Sequence, residues 1–340
     1  MTQAQGVVDG GGSATLRPDY MHRFRPTVAK PIISEILRST LGNAKYQAEG
    51  MLKNMVDREW TDWKFTREDL KRTPSVVACG WTVEREELDR AKACGLIYSA
   101  SRKLQLPQIT SASACVYLHR FFMRHSLKEY HHYNIAATCL FVACKAEESL
   151  RKLESFIPVI VYYASKGNRK APPGTAEFEK WRAVILRTEV VILQALCFDM
   201  VVEHPHVELI DLCDRLGLNR HLSHVAWNFV GDCMRLPLCL VHSPKAISCA
   251  SVSLATRVSQ SESRGGLVDD SWLDRVGADR AAVADVAQWL LEFYARETQS
   301  RMTRGVADNA AESAQTPMSS PGSAASPMSH IQPSPLPELK

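Results

Sequence analysis

Apolar residues recur at three- and four-residue intervals through the middle of the chain, about residues 60 to 297, with polar residues between them. That period matches the 3.6-residue turn of an α-helix with one face turned to a core. Over 84–104, Leu88, Ala91, Cys94, Leu96, Ile97 and Leu104 form a broad stripe behind an acidic first turn of Glu84, Glu86 and Glu87. Acidic groups there complement the positive end of the helix dipole. Pro107 stops the run, and Thr110 is the predicted N-cap of a helix over 110–125 that turns Cys115, Leu118, Phe121 and Phe122 inward. Residues 133–148, containing IAATCLFVAC, are apolar nearly all round, which places that helix at the centre of a bundle. Further helices are predicted over 152–164 and 176–198. Between them SKGNRKAPPGT, 165–175, has the glycines and paired prolines of a loop.

The pattern then repeats in outline. After an extended link over 197–203, Pro205 is placed to open a helix, and others follow over 219–236, 244–259, 268–276 and 280–296. Each half has an apolar, small-residue helix in third place, the second being AISCASVSLA at 246–255. Only VIVY at 159–162 is β-prone, and it is embedded in helical spacing. The expected architecture is all-α, two consecutive five-helix bundles.

Composition changes this picture at the ends. Residues 1–60 form an extension with a GGG run at 10–12, in which Ile33, Ile36, Leu37 and Leu41 after Pro31 have helical spacing. Residues 298–340 read as a disordered tail rich in Ser, Pro and Ala. Lys plus Arg number 41 against 37 Asp plus Glu, a net +4 too mild for a nucleic-acid coat. No apolar run reaches membrane-spanning length and no signal-peptide order opens the chain, so a soluble intracellular protein is expected. The ten cysteines contain no C-x-x-C pair and sit mostly in apolar helical positions, as reduced core residues do.

Several stretches, taken in order, resemble the cyclin family. WKFTREDL at 63–70 with TPS at 73–75 is similar to the leading segment of the transcriptional cyclins T and K. VYLHRFFMRHS at 116–126 resembles the second helix of their first cyclin box, and CLFVACKAEE at 139–148 the third. LQALCFD at 193–199 with EHPH at 203–206 resembles the junction between boxes. The resemblance implies an N-terminal cyclin box with its leading segment over 61–200 and a C-terminal box over 201–297. It further implies a non-catalytic subunit that binds and activates a cyclin-dependent kinase as a heterodimer. The kinase implied phosphorylates the C-terminal repeats of RNA polymerase II, which puts the complex in the nucleus. No cofactor is expected of this chain, since nucleotide and magnesium belong to the kinase.

By the same resemblance Lys145 and Glu189 stand where cyclins present a Lys and Glu pair to the kinase, with Glu148, Leu193 and Phe198 beside them. Lys145 and Glu148, at i and i+3, equally fit an exposed intrahelical pair, and Leu193 and Phe198 equally fit core positions. The sequence departs from the family at Ala146, where related cyclins carry a larger apolar residue. The MRAIL motif of cell-cycle cyclins is absent, RAKACGLI standing at 90–97.

Other signals point away from catalysis. Arg120 is followed by Phe121 and not Asp, and neither DFG nor a Gly-rich phosphate loop is present, so the chain is not the kinase. His131 and His132 near Glu129 diverge on a helix, where zinc needs convergent ligands. Lys166, Arg169 and Lys170 form a basic loop that suits phosphate, an acidic partner, or plain solubility. Thr316, Ser320, Ser326 and Ser334 each precede Pro and are candidate phosphorylation sites for a proline-directed kinase. A factor of the transcription factor IIB type would also use two cyclin-like repeats, but calls for a zinc ribbon and a basic face, and no cysteine precedes Cys79. A peptide-binding scaffold without a kinase is equally compatible with composition.

Overall fold

A computed structural model describes residues 63–262 and 271–313. Thirteen helices and no strand occur among the described residues, so the all-α reading holds and VIVY at 159–162 is helical. The leading segment forms two short helices, α1 (Arg67–Leu70) and α2 (Pro74–Cys79). Thr66 and Asp69 close a capping box on α1, and Gly80 ends α2 in the left-handed conformation that glycine adopts freely.

Five helices surround the first core: α3 (Val83–Lys103), α4 (Gln108–Phe121), α5 (His132–Ala146), α6 (Leu153–Ala164) and α7 (Ala176–Ala195). Ile135, Ala136, Ala137, Cys139, Leu140, Phe141, Val142, Ala143 and Cys144 are all buried, which makes α5 the central helix that its composition requires. Around it Phe121, Phe122, Phe156, Ile157, Ile160, Ile185 and Ile192 complete the core. Each such side chain contributes roughly 1.5 to 3 kcal/mol by leaving water.

The second core is built from α8 (Pro205–Leu216), α9 (Arg220–Cys233), the short α10 (Leu238–Val241), α11 (Pro244–Glu262), the short α12 (Trp272–Arg275) and α13 (Arg280–Ser313). Its central helix is α11, where Ile247, Ala250, Val252, Leu254 and Ala255 are buried around Trp272 and Leu290. Of the cysteines, Cys94, Cys115, Cys139, Cys144, Cys233 and Cys249 are buried, and all ten are free thiols.

Polar groups lock the two cores together. Glu87 of α3 accepts from Trp289 Nε1 and Arg296 Nη2, each at 2.6 Å, and burial pushes its carboxyl above the ordinary range. Arg67 stacks over Trp289 at 4.3 Å and pairs with Asp285 at 3.1 Å. The Phe65 amide donates to Leu240 O at 2.8 Å, so the leading segment bridges both bundles.

Three local expectations are corrected. Thr110 is not an N-cap: α4 begins at Gln108 behind Pro107, and Thr110 lies inside it, buried, with Oγ1 at 3.0 Å from Ser149 Oγ. Proline lacks the amide hydrogen that a helix start leaves unused, so it can take that place. The last helix continues past 297 to Ser313, into the stretch read as tail, because no proline interrupts ARETQSRMTRGVADNAAES and its residues mostly favour helix. Finally, α5 ends at Ala146 and α7 at Ala195, short of 148 and 198. Ile33, Ile36, Leu37 and Leu41 lie outside the described residues.

Candidate functional site

The C-terminal ends of α5 and α7 lie side by side. Lys145 Nζ, in the last turn of α5, donates to Glu189 Oε1 at 2.6 Å, so the two are an ion pair between helices. Lys145 also sits 4.6 Å above the Phe141 ring, one turn earlier, which supports the ammonium from below. Its side chain keeps 44% exposure and that of Glu189 16%, so the pair is reachable from solvent.

Glu148 is not part of this pair. The chain leaves α5 through Glu147 and reverses at Glu148, whose φ of 52° is left-handed, while Ser149 N bonds back to Cys144 O at 2.9 Å. Arg151 then donates to the carbonyls of Leu104, Gln105, Ser149 and Leu150, which fixes the turn and leaves Glu148 and Leu150 exposed. An i, i+3 pair with Lys145 needs a continuous helix, and the helix has already ended.

The end of α7 is held as firmly. Phe198 N bonds Leu193 O at 3.0 Å, and Cys197 and Phe198 both take positive φ, at 52° and 57°. Phe198 therefore lies beyond the helix and is 60% exposed. Trp63 Nε1 donates to Asp199 Oδ2 at 3.0 Å, and Arg120 and Arg124 stack on the Trp63 ring at 4.9 and 4.4 Å. Leu193 stays on α7, half-buried and packed against the first core.

The face extends to residues that the linear pattern did not single out. On α7, Phe178, Ile185, Thr188, Ile192 and Ala195 are buried and form the core row. One position further round, Leu186 is 43% and Val190 55% exposed, spaced i, i+4 with Leu193 at i+7 and Glu189 among them. Apolar side chains left next to one another on a solvent face are surface that a partner can cover. The signal was present in the sequence as a second apolar row offset by one residue from the first.

The stretch RAKACGLI offers no comparable surface. Arg90, Ala91, Ala93, Cys94, Leu96 and Ile97 are buried, and the Arg90 guanidinium is committed to Glu86 Oε1 at 2.6 Å and His119 O at 2.9 Å. Thr316, Ser320, Ser326 and Ser334 lie outside the described residues.

Comparison with known proteins then decides the family. The family described as cyclin, N-terminal domain matches residues 64–201, which hold α1 to α7 and the whole of this face. Residues 64–201 of this chain form a cyclin N-terminal domain. Cyclin pch1 of Schizosaccharomyces pombe is 39% identical over 197 residues, 57% of this chain and 57% of that protein. Cyclin-T2 of Homo sapiens is 31% identical over 201 residues, 59% of this chain and 27% of that protein. The match is thus to cyclins of the transcriptional T/K type, and the shared region spans 57% of the first of these relatives and 27% of the second. A chain of the yeast RNA Pol II CTD kinase CTDK-1 complex shares the fold with a TM-score of 0.56 at 17% identity, covering 68% of this chain and 72% of that chain. Cyclins are regulatory subunits of kinases and not themselves catalysts. No helix among the described residues is long and apolar enough to cross a membrane.

Proposed function

We propose that this cyclin binds a cyclin-dependent kinase through the α5–α7 face and holds it in its active conformation. A kinase of this class is active only when the helix carrying its conserved Glu is swung inward to meet a Lys on a β-strand. A partner stabilises that arrangement by binding it better than the outward one. The observation that carries the reading is the row of Leu186, Val190 and Leu193 beside the Lys145–Glu189 pair: an apolar strip to bury, with one oriented charge pair to set register. Fixed helix ends on both sides give it the rigidity that population shift requires.

The substrate assigned is the C-terminal repeat of RNA polymerase II, and the site of action the nucleus. Support comes from the T-type relatives and from the CTD kinase complex that contains a chain of the same fold.

The test is reconstitution with the kinase that co-purifies with this chain, identified by mass spectrometry. Lys145→Glu combined with Glu189→Lys keeps an ion pair within the cyclin but inverts what the kinase meets. It is expected to lower phosphate transfer to a polymerase-repeat peptide at least tenfold, with helicity by circular dichroism unchanged. Unaltered binding and activity would remove this face from the interface.

A further inference from the structure

A second site lies at the opposite end of the same helices. A cavity of about 430 Å3 opens where α5 and α7 begin and α6 ends, and His131, Tyr133, Asn168, Arg169, Glu177 and Trp181 line it. Trp181 precedes Glu189 by eight residues, which at the helical rise is roughly 12 Å along α7. The kinase face and the cavity are therefore separate.

The cavity is built for an anion beside flat apolar rings. Two helices of 15 and 20 residues point their N-termini at it, and helix N-termini favour negative charge. Arg169 of the loop over 165–175 lines the cavity opposite the single carboxylate of Glu177, and the same loop carries Lys166 and Lys170, both exposed, outside the lining. That loop is folded in place: Gly167 N bonds Tyr162 O at 2.7 Å and Arg169 N bonds Ser165 Oγ at 2.9 Å. Glu177 accepts from Trp181 Nε1 at 3.1 Å and lies 3.7 Å from the Arg169 guanidinium, so it orients the indole and the cation together. Half-buried Tyr133 supplies a second ring. Aromatic-lined grooves take proline-rich segments, and clustered cations take phosphate.

The chain carries a segment with that combination. Residues 314–340 contain Thr316, Ser320, Ser326 and Ser334, each before Pro, and no Asp, Glu, Lys or Arg from 313 to 337. The segment is uncharged there until phosphorylated, and each phosphate adds about 1.5 to 2 negative charges. Beyond the end of α13 at Ser313, Ser326 and Ser334 reach up to roughly 40 and 70 Å at about 3.3 Å per residue, the second more than the diameter of a fold of this size.

We propose that this cavity docks the chain's own tail once it is phosphorylated at a Ser/Thr-Pro site, with the phosphate on Arg169, Lys170 and Lys166 and the proline against Trp181 and Tyr133. That the bound kinase adds the phosphate, moving it from ATP to the side-chain oxygen with release of ADP and a proton, rests on the function proposed above. The recognition itself does not.

The experiment measures fluorescence anisotropy of a labelled synthetic peptide of residues 322–337, phosphorylated at Ser326 and Ser334, titrated with the full-length unphosphorylated chain. Binding is expected at least tenfold tighter than for the unphosphorylated peptide. Arg169→Glu with Lys170→Glu, on an exposed loop that does not threaten the core, is expected to remove that preference, and Trp181→Ala to weaken binding at least fivefold. Equal affinity for the two peptides, or indifference to the loop substitutions, overturns the site. A polymerase-repeat phosphopeptide binding tenfold more tightly than the tail peptide overturns the tail as occupant. None of these readouts uses a kinase, so failure of the kinase reading would appear separately, in the reconstitution.

Discussion

Helices α5 and α7 run in the same direction through the first bundle, yet their two ends carry opposite chemistry. At the C-terminal end Leu186, Val190 and Leu193 surround one ion pair, and Phe198 projects beyond it. At the N-terminal end a cavity is lined by Tyr133, Trp181, Glu177 and Arg169, with Lys166 and Lys170 exposed on the loop that carries Arg169. The buried rows that hold the helices together are the same at both ends, so the core does not determine the difference. It comes from the solvent-side positions of α7 and from what each terminus leaves open. A helix C-terminus presents carbonyls, which Lys145 complements, and an N-terminus presents amide hydrogens, which favour an anion.

The sharpest way to break the comparison is to spoil one end and watch the other. Leu186→Asp with Val190→Asp places two carboxylates where the proposed kinase interface buries apolar surface. Losing two central contacts at about 1.5 kcal/mol or more each corresponds to at least a 100-fold fall in kinase affinity, measurable by surface plasmon resonance. Both side chains are already 43% and 55% exposed, so the urea midpoint should move little, by an amount worth less than about 1 kcal/mol. Phosphopeptide affinity at the cavity should not change. Parallel losses at both ends would mean that the two surfaces are one cooperative unit.

Much of this was legible in sequence because buried helices write their period plainly. The 135–144 run of α5 and the 246–255 run of α11 were recognisable as central helices from composition alone, since a helix apolar on all sides can only be enclosed. Lys145 and Glu189 were legible through resemblance, 44 residues apart, and the fold brings them to 2.6 Å. Leu186 and Val190 were not, because in a linear reading an apolar row one position from the core row merges with it. The i, i+3 pairing of Lys145 with Glu148 was not excluded by the sequence because helix ends depend on backbone reversal and on the Arg151 contacts to Leu104 and Gln105, which join residues about 47 apart. The length of α13 was missed because the composition changes gradually beyond 297, with no proline up to Ser313 to mark a boundary.

A smaller effect probes how dry the start of α5 is, where His132 faces Asp89 and Lys92 of α3. Burial, followed by the charge of His131 and opposed by Asp89, holds the His132 imidazole down to about 4. In the unfolded chain it titrates near 6.5, so between pH 6.5 and 4 the unfolded state binds a proton that the folded state refuses. Its contribution to stability is therefore complete above pH 6.5 and is lost as pH falls towards 4. At pH 5 the loss is about 1 kcal/mol after discounting for partial solvation of the ring. Urea unfolding at pH 7 and pH 5 should show His132→Gln losing less stability than the parent by that amount. His125 and His206, also lowered to about 4 by burial, act equally in both proteins. Identical losses in parent and variant would show that water reaches His132 freely.

The smallest expected effect concerns the ion pair at the other end, and it separates recognition from folding. A Lys145–Glu189 contact of 2.6 Å looks strong, but the Lys145 side chain is 44% exposed and must give up rotamer freedom to hold Glu189. In a double-mutant cycle of Lys145→Ala and Glu189→Ala, the coupling in unfolding free energy should stay below about 1 kcal/mol. The same cycle on kinase binding should exceed it, because burial beneath a partner removes the solvent that screens the pair. If the folding term were the larger, the pair would be a structural clasp between α5 and α7, and the charge-swapped cyclin would lose activity through its own fold and not through the kinase.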